Sequence, residues 1–278
     1  MGHTRSAAAL RWAALLGAAL LTALRLVTLR TAFDENGLLP RGSRVLPLTV
    51  LAAALVFLAL TLLSLRLNRL PGTEGCFTSR PGWLAAKLAA AVLLLFGSLF
   101  ALLDGQSEPD LAERIVTGCG LVSALLMGLT ALRPERGPGF FWLRLVPALF
   151  TGAALVTRFR TWSHDPLVIH LAPVLLAWTC CMVEMMLLTG FPLNAGHRRG
   201  AVLFGLGAGC YCCMTLPDFL LGQRTELPEL LTLLGLSVWC LTAALELLRH
   251  RVQTELPPPE PEPEQEAQPQ PEIRSERA

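Results

Sequence analysis

The chain has 278 residues, of which 53% are hydrophobic and only 16% charged, and its mean hydropathy is +0.52. Soluble domains carry about 25% charged residues, and a water-soluble fold has nowhere to put this much apolar surface. Composition excludes an ordinary cytosolic enzyme and points to an all-α integral membrane protein with many spans.

The net charge of +2 conceals an asymmetry. Residues 252–278 hold seven Glu and two Arg, a charge of −5, and residues 1–251 hold 21 basic and 14 acidic residues, a charge of +7. No basic run is long enough for a nucleic-acid partner. The eight cysteines lie mostly in apolar stretches rather than in polar loops, so they do not form a disulfide framework.

About 20 apolar residues, rising 1.5 Å each, cross a hydrocarbon core of ~30 Å. Eight stretches qualify in chain order: Ala7–Leu29, Val45–Leu65, Trp83–Leu103, Ile115–Leu132, Phe140–Val156, Leu167–Thr189, Gly200–Leu221 and Leu227–Leu248. None alternates with period two, and lipid leaves no partner for an open backbone donor, so each is predicted to be a helix. The first reads as an uncleaved span, because more spans follow it and no convincing cleavage pattern is present. The fifth is the least secure, being short and carrying Arg144 and Pro147, and without it the count would be seven. Asn36-Gly37, Pro71-Gly72, Asp104-Gly105 and Gly137-Pro138-Gly139 mark turns between spans. The tail over 253–278 is rich in Pro and Glu and is predicted to be disordered.

Basic residues near span ends set orientation. With eight spans, twelve basic residues fall on the side of both termini and seven on the other. This places both termini in the cytoplasm and the chain in the plasma membrane.

Two pairs of hairpins look alike. Leu26-Val27-Thr28-Leu29-Arg30-Thr31 resembles Leu155-Val156-Thr157-Arg158-Phe159-Arg160-Thr161, and the segment Leu102 to Leu111 resembles Leu220 to Leu230. Both offsets equal four spans. The expectation is two parallel four-span repeats, over 1–132 and 133–252, followed by the tail.

Three groups of residues are candidates for chemistry. Cys180 and Cys181 on the sixth span, with Cys210 and Cys213 on the seventh, have the soft donors a copper(I) or redox site uses, although they also serve as ordinary packing. Arg144, Glu184 and Asp218 are charges within or near the hydrocarbon, where an ion costs ~3 kcal/mol or more. Most of these are expected to snorkel to an interface, while Glu184, the deepest, is a candidate for proton relay or for pairing with Arg144. Arg30, Asp34 and Asp165 join Asp218 in a polar outer group, near Pro166, Pro173 and Pro217, where broken helices would place a transporter's site. Gly205 and Gly209 form a small-x-x-x-small pair for close helix packing.

No catalytic motif is found, so no enzymatic activity and no cofactor are expected. The first reading is a non-enzymatic component that binds or moves a small solute. The second is an accessory or scaffold subunit, with the lipid bilayer, other membrane subunits or a second copy as partners. The third is a soft-metal or redox protein built on the Cys/Met cluster.

Overall fold

The computed structural model describes residues 2–31, 45–67, 71–72, 77, 81–103, 111–132, 141–163, 168–193, 195–221 and 226–249. Asp34, Asp165 and the tail over 253–278 lie outside them.

Each of the eight predicted stretches is helical. The long helices are α1 (Gly2–Thr31), α2 (Val45–Ser64), α3 (Pro81–Leu103), α4 (Leu111–Leu132), α5 (Phe141–Trp162), α6 (Val168–Leu188), α7 (Arg198–Leu220) and α8 (Leu227–Arg249). A short 3-10 turn, Phe191–Leu193, follows α6. Seven of the eight are long and apolar enough to cross a membrane, which fits a polytopic membrane protein. The exception is α5, whose arginines lower its hydropathy. It also runs six residues past the predicted Val156. Thr157 and Thr161 carry the helix on by donating to the Ala153 and Thr157 carbonyls, and Arg158 finds a carboxylate on α8.

The prolines do not break the helices as expected. Pro147, Pro173 and Pro217 lie inside continuous α5, α6 and α7.

Helices α3, α4, α5, α6 and α8 form a closed ring, each packed on the next and α8 packed on α3. Glycine permits the closest of these contacts. A Cβ on Gly235 of α8 would stand 2.7 Å from the Ala90 carbonyl oxygen and the Leu94 nitrogen of α3, so the two backbones touch, as small residues allow between helices in lipid. Helix α7 packs outside the ring on α6 and α8, and α1 and α2 pack in turn on α7. The neighbours of α3 and α7 therefore differ: α3 lies along α8, and α7 along α1.

Helix α2 exposes a row of large apolar side chains, among them Leu48, Leu51, Leu55, Leu58 and Leu62. In water such a face would be an anomaly. Against hydrocarbon it is the ordinary outside of a bundle.

We call the end where α1 begins and α8 finishes the terminal face, and the opposite end the loop face. On the terminal face, β1 (Pro71–Gly72) pairs antiparallel with β2 (Gly196–His197). Arg199 Nε donates to the Leu67 carbonyl at 2.5 Å, and Arg198 reaches the Leu247 carbonyl with Nε at 3.0 Å and Nη2 at 2.6 Å. These bonds tie the segments flanking α2, α7 and α8 together.

Candidate functional site

Buried charge organises the molecule. Arg25, Glu184, Asp218 and Glu246 are each 3% exposed or less. Asp218, expected to reach an interface, is instead enclosed with an ion partner, and the side chains of all four are held inside the bundle by partners or by packing. Arg25 meets Asp218 with Nε at 3.2 and 3.1 Å from the two carboxylate oxygens and Nη2 at 2.6 Å from one. Lys87 Nζ lies 2.6 Å from Glu246 Oε2, and Arg158 Nε lies 2.7 Å from Glu229 Oε1.

Glu184 is not paired with Arg144. Its carboxylate lies against α7, where a Cβ on Gly205 would stand 2.5 Å from both oxygens and 2.7 Å from Ala244 of α8. Neither oxygen has a hydrogen-bond partner among the described residues. Gly205 thus makes room for a side chain as well as for a neighbouring backbone. Arg144 points elsewhere: Nη1 donates to the Leu188 carbonyl at 3.0 Å, and its guanidinium lies 4.4 Å from the centre of the Phe77 ring.

The candidate cysteines face different neighbours. Cys180 Sγ lies over Gly207 of α7. Cys181 Sγ is 3.6 Å from Ser237 Oγ of α8. Cys210 donates to the Ala14 carbonyl of α1 at 3.3 Å, and Cys213 is only half-buried. Among the described residues, no group of three or more His, Cys, Asp or Glu is placed to hold a metal ion. Arg30 is exposed at the end of α1, whereas Asp218 sits in the pair with Arg25.

The ring holds two cavities, one toward each face. The one at the loop face measures about 320 Å³ and opens between α3, α4, α5 and α8. Its charged lining is Glu113, Glu226, Glu229 and Arg158. Its floor is formed by Ser98 and Phe150, which meet at Gly120: a Cβ there would stand 2.5 Å from Ser98 Oγ and 3.1 Å from the Phe150 ring. Behind Phe150 lies Trp178, with ring centres 6.4 Å apart, and the Arg158 guanidinium stacks 4.2 Å from the centre of Trp178. The Trp178 indole N–H is buried without an acceptor.

The cavity at the terminal face measures about 20 Å³, enough for about one water. Lys87, Arg144, Phe77 and Trp239 crowd it. The Lys87 ammonium stands 5.3 Å from the centre of Phe77 and 5.9 Å from that of Trp239. Phe77 is itself held edge-on to Phe191, with centres 5.3 Å apart. The two cations share the Phe77 ring, and Lys87 is also bonded to Glu246. Trp239 and Thr232, which line the two cavities on α8, are seven residues apart, about 10 Å of helix rise.

A third hollow, about 480 Å³, lies outside the ring between α2 and α6 over α7. Its walls are largely apolar, including Ala53, Phe57, Leu176 and Phe204.

Sequence reasoning missed most of the ring site. Arg158 stands out in the sequence as an outer polar residue and Glu246 as a charge within a span, but Lys87, Ser98 and Glu229 are not marked as site residues by the sequence. One signal for the pair of Lys87 and Glu246 was available: the only lysine of the chain falls one turn inside a span, and such a charge needs a partner within the bundle.

No protein-family model matches this chain, and neither a curated protein nor a solved structure matches it.

Proposed function

We propose that the chain is a non-enzymatic membrane protein that binds a small solute in the loop-face cavity and passes it along the axis of the five-helix ring. One observation carries this reading: a roomy polar cavity and a small, crowded one lie at opposite ends of the same ring. A path with a site on one side and a closed gate on the other is what alternating access requires. The apolar hollow and the dispersed cysteines offer nothing comparable for docking or redox chemistry.

In this reading all eight helices cross the plasma membrane, with both termini in the cytoplasm and the loop face outward. The bias of twelve basic residues against seven supports that orientation. Helix α5 crosses despite its composition because Arg144 and Arg158 line the ring interior. The four-span duplication suggested by the two hairpin pairs is kept as a proposal about origin.

Thiol labelling tests the reading. Ser98→Cys, at the floor of the open cavity, is expected to react with a small water-soluble thiol reagent above the background of the parent protein. Thr130→Cys, beside the small cavity, is expected to stay at background. Unreactive Ser98→Cys, or equal reaction at both positions, would refute the proposed path.

A further inference from the structure

We infer that the solute of the loop-face cavity is a small organic ammonium ion, an inference that rests on the solute-binding reading and adds its chemistry. The argument comes from what the wall can offer a ligand. Four threonines line the cavity, and each already spends its hydroxyl proton on its own helix. Thr117 donates to the Glu113 carbonyl at 2.8 Å, Thr157 to Ala153 at 2.9 Å, Thr161 to Thr157 at 3.1 Å and Thr232 to Pro228 at 2.8 Å. A hydroxyl whose proton is committed presents only lone pairs to its other side. The three glutamates are acceptors as well.

Among the described residues, the one cationic side chain of the wall is already engaged. Arg158 is bonded to Glu229 and stacked on Trp178. Three carboxylates against one guanidinium leave the lining at −2. Glu113 and Glu226 have no cation paired with them among the described residues. Ser98, only 3% exposed, lines the floor and makes no hydrogen bond among the described residues. Its hydroxyl is free both to accept from a ligand and to donate to it.

Helix ends explain part of the acid. Glu113 and Glu229 stand in the first turns of α4 and α8, where negative charge is favoured. That preference accounts neither for the hydroxyl wall nor for Ser98. A ligand facing acceptors, net negative charge and the rings of Phe150 and Trp162 must donate hydrogen bonds, carry positive charge and have an apolar body. Size selects among cations. A volume of about 320 Å³ sits at the lower end of the ~300–1,000 Å³ of small-molecule sites, far more than a bare ion fills. Among the described residues, the three glutamates are not clustered closely enough to hold a metal ion.

Full-length protein in lipid nanodiscs is titrated with n-butylammonium, choline and putrescine, alongside butanol, butyrate and calcium chloride at matched ionic strength. At least one ammonium probe is expected to bind about tenfold tighter than butanol and butyrate. The Glu113→Gln/Glu226→Gln double variant, altered at exposed positions that leave the packing alone, is expected to lose about tenfold of that affinity. Butanol, butyrate or calcium binding as tightly as the ammonium probes overturns the inference, as does an ammonium affinity untouched by the double variant. Absence of binding by all six probes overturns it too. The solute path is judged separately by the Ser98→Cys and Thr130→Cys labelling, so an accessible cavity that prefers butyrate refutes the ammonium assignment alone.

Discussion

Arg25 of α1 and Asp218 of α7, 193 residues apart in sequence, meet side by side through three hydrogen bonds with almost no exposure to the outside. Nη2 donates to one carboxylate oxygen and Nε to the other, the two-pronged pairing a planar guanidinium favours. Around it, Thr22 donates to the Cys213 carbonyl at 3.0 Å, so this seam is polar along its length. Removing one member strands a charge in a medium that cannot solvate it. We predict that Arg25→Met or Asp218→Asn alone lowers stability by about 3–5 kcal/mol, and that Arg25→Met with Asp218→Leu recovers most of the loss. Thermal unfolding in detergent checks this, and single variants as stable as the parent would refute it.

A second prediction concerns the small cavity at the terminal face. Phe77→Ala removes the ring beneath both Lys87 and Arg144. Each such contact is worth about 0.5–2 kcal/mol, so opening at the terminal face becomes about tenfold more frequent. The expected readout is faster thiol modification of Thr130→Cys in the Phe77→Ala background, with monodispersity on gel filtration as the control for folding. Unchanged modification would show that Phe77 does not seal this end.

Glycine spacing gives a third. Gly235→Ala places a methyl group against α3 backbone, which cannot retreat as a flexible side chain can. We expect a loss of about 1–3 kcal/mol. Gly118→Ala on α4 meets nothing within 4 Å and should be neutral, or stabilising by up to about 1 kcal/mol through helix propensity. Melting curves for the two variants, taken side by side, should diverge in that order. Equal effects would mean that the α3–α8 contact is not what Gly235 serves.

The number of crossings is a fourth. Fusion reporters at each end of the chain should report the same compartment, the cytoplasm, because eight crossings return the chain to its starting side. Opposite compartments would mean that α5 lies within the bundle without crossing, and the proposed path would have to be redrawn.

The sequence was most informative about what lipid forces on a chain. Every apolar stretch became a helix, because lipid offers the backbone no other partner. Boundaries slipped where a helix runs on past its apolar stretch, as α1, α4 and α5 do by four to six residues at one end. The site was much less legible. Asp218 and Arg25 were each visible as charges near span ends, but nothing local says that α1 packs on α7. Glu184 and Arg144 have the right depth to pair, yet Gly205 draws the first toward α7 while Phe77 and the Leu188 carbonyl hold the second. Lys87 and Glu246 lie on helices separated by four others in the chain, so their meeting is a fact of tertiary packing. The hydroxyl wall was hidden for another reason: scattered threonines in helices read as unremarkable until the ring turns them toward one space.

The short bridge between Pro71–Gly72 and Gly196–His197 has a mechanical consequence. It fastens the segment that carries Phe77, five residues beyond Gly72, to the base of α7, and α7 is the post on which α1 and α2 lean. The strand pair thus joins the approach to α3, a helix of the ring, to the three helices that stand outside it.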